Sequence, residues 1–137
     1  MAHKATLKIE GKEEPGYEIL ECEYEFVQPI KENGQPAGRP AGGLIHLVII
    51  VPDDKDIFIH DWMQSATENK DGQIVFEVVD TGTPSTKILF FKRAYCIRLY
   101  EYFNKQNNQQ MYSKITLSAA EIAFGENKNV IFKNDQK

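Results

Sequence analysis

The sequence predicts a mainly β fold: a small antiparallel barrel or tight sandwich with one α-helix at about 53–67 and one long extended loop at 28–43. Three observations predict it. Apolar residues alternate with polar ones, or run in short blocks, over most of the chain. Turn-forming residues punctuate it roughly every eight to twelve positions. Only the stretch around Phe58 and Trp62 has helical spacing. The 137 residues fit a single domain, 1–137. A chain of this length buries about two-thirds of the surface its unfolded form exposes, enough for a real core.

Residues 5–10 alternate, with Leu7 and Ile9 on one face. The polar stretch from Gly11 to Gly16, with Pro15, reads as a turn. Residues 17–27 read as a long half-buried strand. Leu20, Cys22, Tyr24 and Phe26 fall on one face; Glu21, Glu23 and Glu25 fall on the other. Three carboxylates on one face repel each other unless solvated or matched by cations. That face is therefore either wet or an acidic stripe against a neighbouring subunit's lysines.

Residues 28–43 (QPIKENGQPAGRPAGG) hold Pro29, Pro36 and Pro40 with Gly34, Gly38, Gly42 and Gly43. Proline lacks a donor and glycine loses the most entropy on ordering, so neither helix nor strand fits. Structureless loops longer than roughly 12–15 residues are uncommon unless functional or disordered. The prolines restrict the free loop and lower the entropy lost when a partner orders it. The stretch reads as a docking arm, with Lys31, Glu32 and Arg39 as charged contacts.

Leu44–Val51 is nearly all apolar, His46 excepted. Such a run is expected to be covered on both faces, by a helix or a second subunit on the outside. Pro52-Asp53-Asp54 then opens the helix, with an aspartate as N-cap. Phe58 and Trp62, then Ile59 and Met63, stand four apart, and Ala66 continues the stripe. Trp62 is expected in the core. Lys70-Asp71-Gly72 marks a turn.

Residues 73–80 read as a strand and 81–85 as a turn. Residues 86–103, with Phe90, Phe91, Tyr95, Tyr100, Tyr102 and Phe103, form one bent strand or two. After a polar turn, 111–124 reads as a strand kinked by a bulge near Ser118-Ala119-Ala120, where the alternation changes phase. Residues 129–132 add a short strand, and 134–137 are expected to fray.

Composition excludes several function classes. The net charge is -4 and Lys and Arg are scattered among acids, so there is no basic face for general nucleic-acid binding. No apolar run approaches the roughly 18 residues of a membrane span. The start, MAHKATLKIE, has no apolar core of a secretory signal. Cys22 and Cys96 lie in strand-like runs and read as reduced core residues of a cytoplasmic protein, a disulfide between them remaining open.

Catalytic and cofactor motifs are sparse. His3, His46 and His60 are far apart, with no second ligand at metal spacing, so no metal or cofactor is expected. Val78-Val79-Asp80-Thr81-Gly82 matches a short aspartic-protease signature, and Ile122-Ala123-Phe124-Gly125 resembles its downstream element. Two such aspartates in a homodimer could share a proton and activate water. A strand running into a turn also ends in Asp-Thr-Gly for purely local reasons, and no glycine-rich flap fits. A ligand-binding barrel lined by the surplus aromatics is the other alternative. The helix in mid-chain and the loop after the second strand do not favour a ligand cup.

The order of elements resembles the haemolysin-coregulated protein family, the tube protein of type VI secretion systems, in its divergent Bacteroidetes form. The residues that carry the resemblance are 6–10 with 20–28, 36–47, 56–63, 71–85 (DGQIVFEVVDTGTPS), 94–103 and 115–124. It covers nearly the whole chain, with 13–16 as a small insertion in the first hairpin. With the proteobacterial members only the element order and patterning agree. The resemblance implies a structural protein without catalysis. It implies hexameric rings stacked into a hollow tube, which a contractile sheath drives out of the cell. A spike sits at the tip and effectors can ride in the lumen. It also implies that the arm, here 28–43, touches the neighbouring ring. Such a protein would be cytoplasmic before assembly and then secreted through the apparatus. Its partners would be itself, sheath, spike and effectors, with no nucleic acid and no membrane insertion.

Within that frame Lys31, Glu32, Arg39, Pro40, Gly42 and Gly43 are the expected stacking residues, and Arg39 is expected to pair with a carboxylate of the adjacent ring. Glu21, Glu23 and Glu25 are expected to meet Lys92 and Arg98, with Lys87 and Arg93, between subunits. A ring closed this way has a heterologous interface, and head-to-tail stacking makes it an open filament.

Overall fold

The computed structural model describes residues 2–38, 42–53, 55–79, 85–103, 111–125, 127–128 and 130–133, with 2 and 79 as backbone only. The first hairpin pairs β1 (Ala2–Ile9) with β2 (Lys12–Tyr24). The chain reverses at Glu10-Gly11, so Lys12 already faces Ile9. The turn expected over 11–16 is therefore only its first step, and residues 12–16 extend the hairpin. Tyr17 and Ile19 point into the core, and Cys22, Tyr24 and Phe26 are half-buried. Leu20 does not share their face. The register with β3 (Leu44–Val51) slips between Ile19 and Glu21, and Leu20 bulges outward, 48% exposed.

β3 continues the meander to β6 (Met111–Ser118), and β6 pairs with the second half of β5 (Ser85–Phe103). The first half of β5 pairs with β4 (Lys70–Val79), which pairs with β1. The order β4-β1-β2-β3-β6-β5, joined back from β5 to β4, closes a six-stranded barrel. β7 (Glu121–Phe124) lies beside the first half of β5, and β8 (Val130–Lys133) pairs with β7. The barrel is filled by Leu7, Ile9, Tyr17, Ile45, Leu47, Ile49, Ile74, Leu89, Phe91, Ile115 and Leu117. With these side chains turned inward, the described residues do not favour the ligand-cup alternative.

β5 is one bent strand of 19 residues. It bends at Arg93, whose φ of 50° places it in the left-handed region. Lys70 pairs with Ala94 and Gly72 with Phe91, so Asp71 alone faces two residues of β5. Its Oδ1 accepts the N–H of Arg93 at 2.9 Å. Lys70-Asp71-Gly72 is thus not the expected turn but the bulged start of β4. The glycine serves close approach: a Cβ there would stand 2.5 Å from Phe91 Cζ and 2.6 Å from the Lys8 carbonyl.

The expected single strand over 111–124 is broken in two. Ala119 and Ala120 are buried, and their N–H groups donate to the Gly43 and Lys92 carbonyls at 2.7 and 3.0 Å. Those bonds replace a ladder, so the chain leaves one edge of β5 and rejoins it further along as β7.

The helix α1 is shorter than expected, Phe58–Gln64. Its N-cap is Ile57, not an aspartate, and Asp54 lies outside the described residues. Asp53 Oδ1 accepts the Lys55 N–H at 2.9 Å, and Asp56 Oδ1 accepts the Phe58 N–H at 3.0 Å. Asp56 Oδ2 takes the Tyr17 hydroxyl at 2.9 Å and the Lys12 ammonium at 3.1 Å. At the far end Ser65 Oγ accepts the N–H groups of Thr67 and Glu68, which diverts the backbone. Ile59 and Trp62 are buried, Phe58 and Met63 pack partly against the core, and Ala66 is exposed.

The expected double cover of the apolar strands is not met within one copy. Leu44, Ile97, Tyr100, Tyr102 and Phe103 remain exposed on the outside. Cys22 and Cys96 are free thiols, both pushed up to about 11, chiefly by burial. They are protonated and unreactive at neutral pH.

Candidate functional site

The arm leaves β2 and folds back on itself. Ile30 bridges Pro36; the Lys31 N–H donates to the Gln35 carbonyl at 2.8 Å and the Ala37 N–H to the Pro29 carbonyl at 2.7 Å. Gly34 N–H closes the tip onto the Lys31 carbonyl at 2.8 Å, and Asn33 Oδ1 accepts the Gln35 N–H at 3.0 Å. The long loop expected over 28–43 thus folds back within 29–37 as a miniature hairpin. Its prolines lack donors but keep their carbonyls, and one of these accepts a cross-arm bond. Lys31 and Glu32 stand exposed at the tip, and Val27 and Ile30 are 52% and 70% exposed. Arg39 and Pro40 lie outside the described residues.

The root of the arm is packed against the barrel, whereas its tip is exposed. Phe26 stacks on Phe132 of β8 at 3.8 Å between centroids, and Tyr24 and Phe124 close the cluster. Gly42 passes over this cluster; a Cβ there would stand 2.6 Å from Phe26 Cδ1 and 2.9 Å from the Glu25 carbonyl. Gly43 binds Ala119 as described. Gly42→Val is therefore expected to push Phe26 out of the stack and free the arm while the barrel stays folded. Limited proteolysis should cut 28–43 about tenfold faster, with the thermal midpoint moved by only a few degrees. Unchanged cleavage would show that the root tolerates the side chain.

A second feature lies on the sheet. β1 pairs with β2 only as far as Glu18, and β4 with β5 only as far as Ala94. Beyond those points β2 pairs with β3 alone, and β5 with β6 alone, among the described residues. The sub-sheet β2-β3-β6-β5 thus has two open backbone edges. α1 leans on the β5 edge, where His60 Nε2 meets Glu101 Oε1 at 2.6 Å.

The outward rows of this sub-sheet run from acid to base. One row is Glu23, His46, Thr116, Arg98; the next is Glu21, Val48, Lys114, Tyr100. His46 Nδ1 and Thr116 Oγ1 share a hydrogen bond of 3.0 Å, and Lys114 Nζ lies 5.7 Å from the Tyr100 ring centre. Above them Ile50, Tyr112 and Tyr102 form an apolar row. A shallow hollow of about 530 Å³ separates the acidic and basic sides.

Of the residues singled out in the sequence, Glu21, Glu23 and Arg98 thus share one face at opposite edges, and Glu25 lies exposed just past the end of β2. Lys92 is engaged internally, 3.8 Å from Glu121 Oε2, and Lys87 lies over the Phe124 ring at 5.3 Å. Arg93 is exposed at the bend. The bulge at Leu20, a second at Ile97, and the Lys12–Asp56–Tyr17 cluster were not anticipated. Asp80 and its Thr81-Gly82 lie outside the described residues. Among those residues no three His, Cys, Asp or Glu side chains converge on a metal position, and no helix is long and apolar enough to cross a membrane.

Residues 1–135 match the model of a family described as "Hemolysin coregulated protein Hcp (TssD)". The chain is similar to the solved structure of Hcp1 from Flavobacterium johnsoniae, with 24% identity and a TM-score of 0.75, covering 96% of this chain and 99% of that one. It is similar to the secreted protein Hcp3 from Pseudomonas aeruginosa, with 10% identity and a TM-score of 0.69, covering 99% of each chain. Hcp1 of E. coli EAEC 042 aligns over 98% of this chain and 97% of its own, with 12% identity and a TM-score of 0.69. At these identities the structural likeness speaks for the fold. No curated protein matches.

Proposed function

The chain belongs to the haemolysin-coregulated protein (Hcp, TssD) family, the inner-tube subunits of type VI secretion systems, and on that premise we propose that its copies close into hexameric rings that stack into a hollow tube. One observation carries the proposal: a single sub-sheet has two edges without a backbone partner among the described residues, one bearing Glu21 and Glu23, the other Arg98. Open edges are an association hazard unless something covers them. A ring needs two different, complementary flanks on each copy, because its interface is heterologous. Glu21, Glu23 and Glu25 of one copy would face Arg98 of the next.

Geometry then sets the inside of the ring. Six four-stranded sub-sheets laid edge to edge, with strands about 4.8 Å apart and seams no narrower, span at least roughly 115 Å and close at a diameter of at least roughly 37 Å. The rest of each barrel lies behind the sub-sheet and has room only on the outer side. His46, Lys114, Tyr100, Tyr102 and Tyr112 would therefore line the bore, where effectors travel. The arm, exposed at its tip and anchored at its root, would meet the adjacent ring. Sheath and spike are the further partners of such a tube, and the role requires no catalysis. The protein would be cytoplasmic until assembled and then expelled through the apparatus.

The test is light scattering on a sizing column. The 15.7 kDa chain should elute with the mass of six copies. Arg98→Glu places like charges at every seam and should weaken each contact about tenfold or more, shifting the mass towards monomer, with the wild-type ring loosening as salt is raised. A wild-type monomer at high concentration overturns the ring; an intact Arg98→Glu ring moves the charged contact elsewhere.

A further inference from the structure

We infer that the seam between neighbouring copies is a knob in a hole, with Leu20 of one copy seated in the hollow beside Ile97 of the next. The inference rests on the ring reading above and adds the residues that hold it. Each open edge carries a bulge on its unpaired stretch: β2 slips between Ile19 and Glu21, β5 between Cys96 and Arg98. In both, the extra residue is aliphatic and turned to solvent, Leu20 at 48% and Ile97 at 50% exposure. A bulge leaves its residue out of the ladder and disturbs the regular row of donors and acceptors. An edge disturbed in this way resists addition of a further strand. Adjacent sheets therefore meet through side chains and not through one continuous ladder.

The two edges are unlike, as a heterologous contact demands. β2 offers a projection: Leu20 stands alone among Glu18, Glu21 and Glu23. β5 offers a receptacle of about 330 Å³, walled by Met63 of α1, by Ser65 and Ala66 just after it, by Tyr95, Cys96 and Ile97, and by Ser118 at the end of β6. That is ample for a leucine side chain, and its walls are mainly apolar. Glu21 and Glu23 beside the knob, and Arg98 beside the hole, would form a charged rim that excludes water from an apolar centre.

The stagger also suits a closed cylinder. Leu20 lies between the rows of Ile49 and Val48; Ile97 lies between those of His46 and Ile45. The offset is three rows, roughly 10 Å along the strands. Strands that close a cylinder are tilted to its axis, which introduces such a shift at every seam.

The experiment pairs a cross-link with a charge. Leu20→Cys with Ile97→Cys, purified as rings and mildly oxidised, should give a denaturing-gel ladder of covalent species up to six chains. The wild type should give none, because neither edge then carries a cysteine at the contact: Cys22 is half-buried in its own strand and Cys96, at the floor of the receptacle, is only 4% exposed. A ring-sized mass without a ladder overturns the knob-and-hole seam and leaves the ring standing. A wild-type chain that never exceeds monomer mass overturns both. Leu20→Asp provides the independent measurement. Leu20 contributes little to its own core, so circular dichroism should be unchanged while ring dissociation moves to at least tenfold higher protein concentration. Rings as persistent as wild type on dilution would sink the proposal.

Discussion

Trp62→Ala costs the subunit roughly 3–5 kcal/mol of stability, the usual price of a large aromatic taken from a core. Trp62 is fully buried and is the largest side chain of a helix only seven residues long. A helix that short does not stand by itself in water; packing holds it, and Trp62 is most of the packing. The indole Nε1–H has no hydrogen-bond partner among the described residues. Removing it relieves a buried unsatisfied donor, worth about 1–3 kcal/mol, so the lower half of the range is expected. Trp62→Phe separates the two effects: it keeps most of the volume, loses the donor, and should cost less than about 1.5 kcal/mol. Urea denaturation of the three proteins measures both. An alanine variant within about 1 kcal/mol of wild type would mean that the helix is docked by other residues.

Asp56→Ala is expected to cost about 2–4 kcal/mol, because one carboxylate holds three groups at once. Its side chain is only 8% exposed, and it binds the Tyr17 hydroxyl, the Lys12 ammonium and the Phe58 N–H. Alanine would leave the Tyr17 hydroxyl, inside the core, without its acceptor. Burial by itself would raise the Asp56 carboxyl; the Phe58 N–H, then Lys12 and Tyr17, outweigh it and hold the group below its ordinary value. Burial first, and Asp56 second, push the Tyr17 phenol up, so it remains a donor at any working pH. The sign of the pH dependence follows. A carboxyl depressed in the folded state adds stability above its unfolded value, near 4, and that stability is lost as pH falls through the folded value. Wild type should lose stability below pH 4 more steeply than Asp56→Ala, and the two curves should converge in acid. Parallel curves from pH 7 to pH 3 would contradict this account.

Much of the fold was legible because alternation and turn chemistry are local. Leu44–Val51 fell where expected, and pattern reading reached the one helix and every strand of the described residues except the separation of β7 from β6. What escaped was non-local. The aspartates before Phe58 resemble a helix start until Tyr17 and Lys12 are seen to claim Asp56. Gly72 resembles a turn until Phe91 and Lys8 close on it. Ala119-Ala120 resemble a bulge until the Gly43 and Lys92 carbonyls take their N–H groups. The bulge at Leu20 did leave a trace. Glu18, Glu21, Glu23 and Glu25 are spaced three, two and two, and the odd step marks the slip. At the candidate site the acidic stripe and Arg98 were legible by type, but their placement at opposite edges of one sheet needed the registers.

The continuity of β5 bears on mechanical strength. Its first half is laced to β4 and β7 in the body of the barrel, and its second half to β6 in the sub-sheet. A push on the sub-sheet directed along its strands reaches the body through an unbroken main chain. It loads the ladder bonds on both sides in shear, many together, and not singly as in peeling. A subunit built this way resists axial thrust far better than lateral prying. Strand direction, more than bond number, would decide how much force a tube of such subunits withstands.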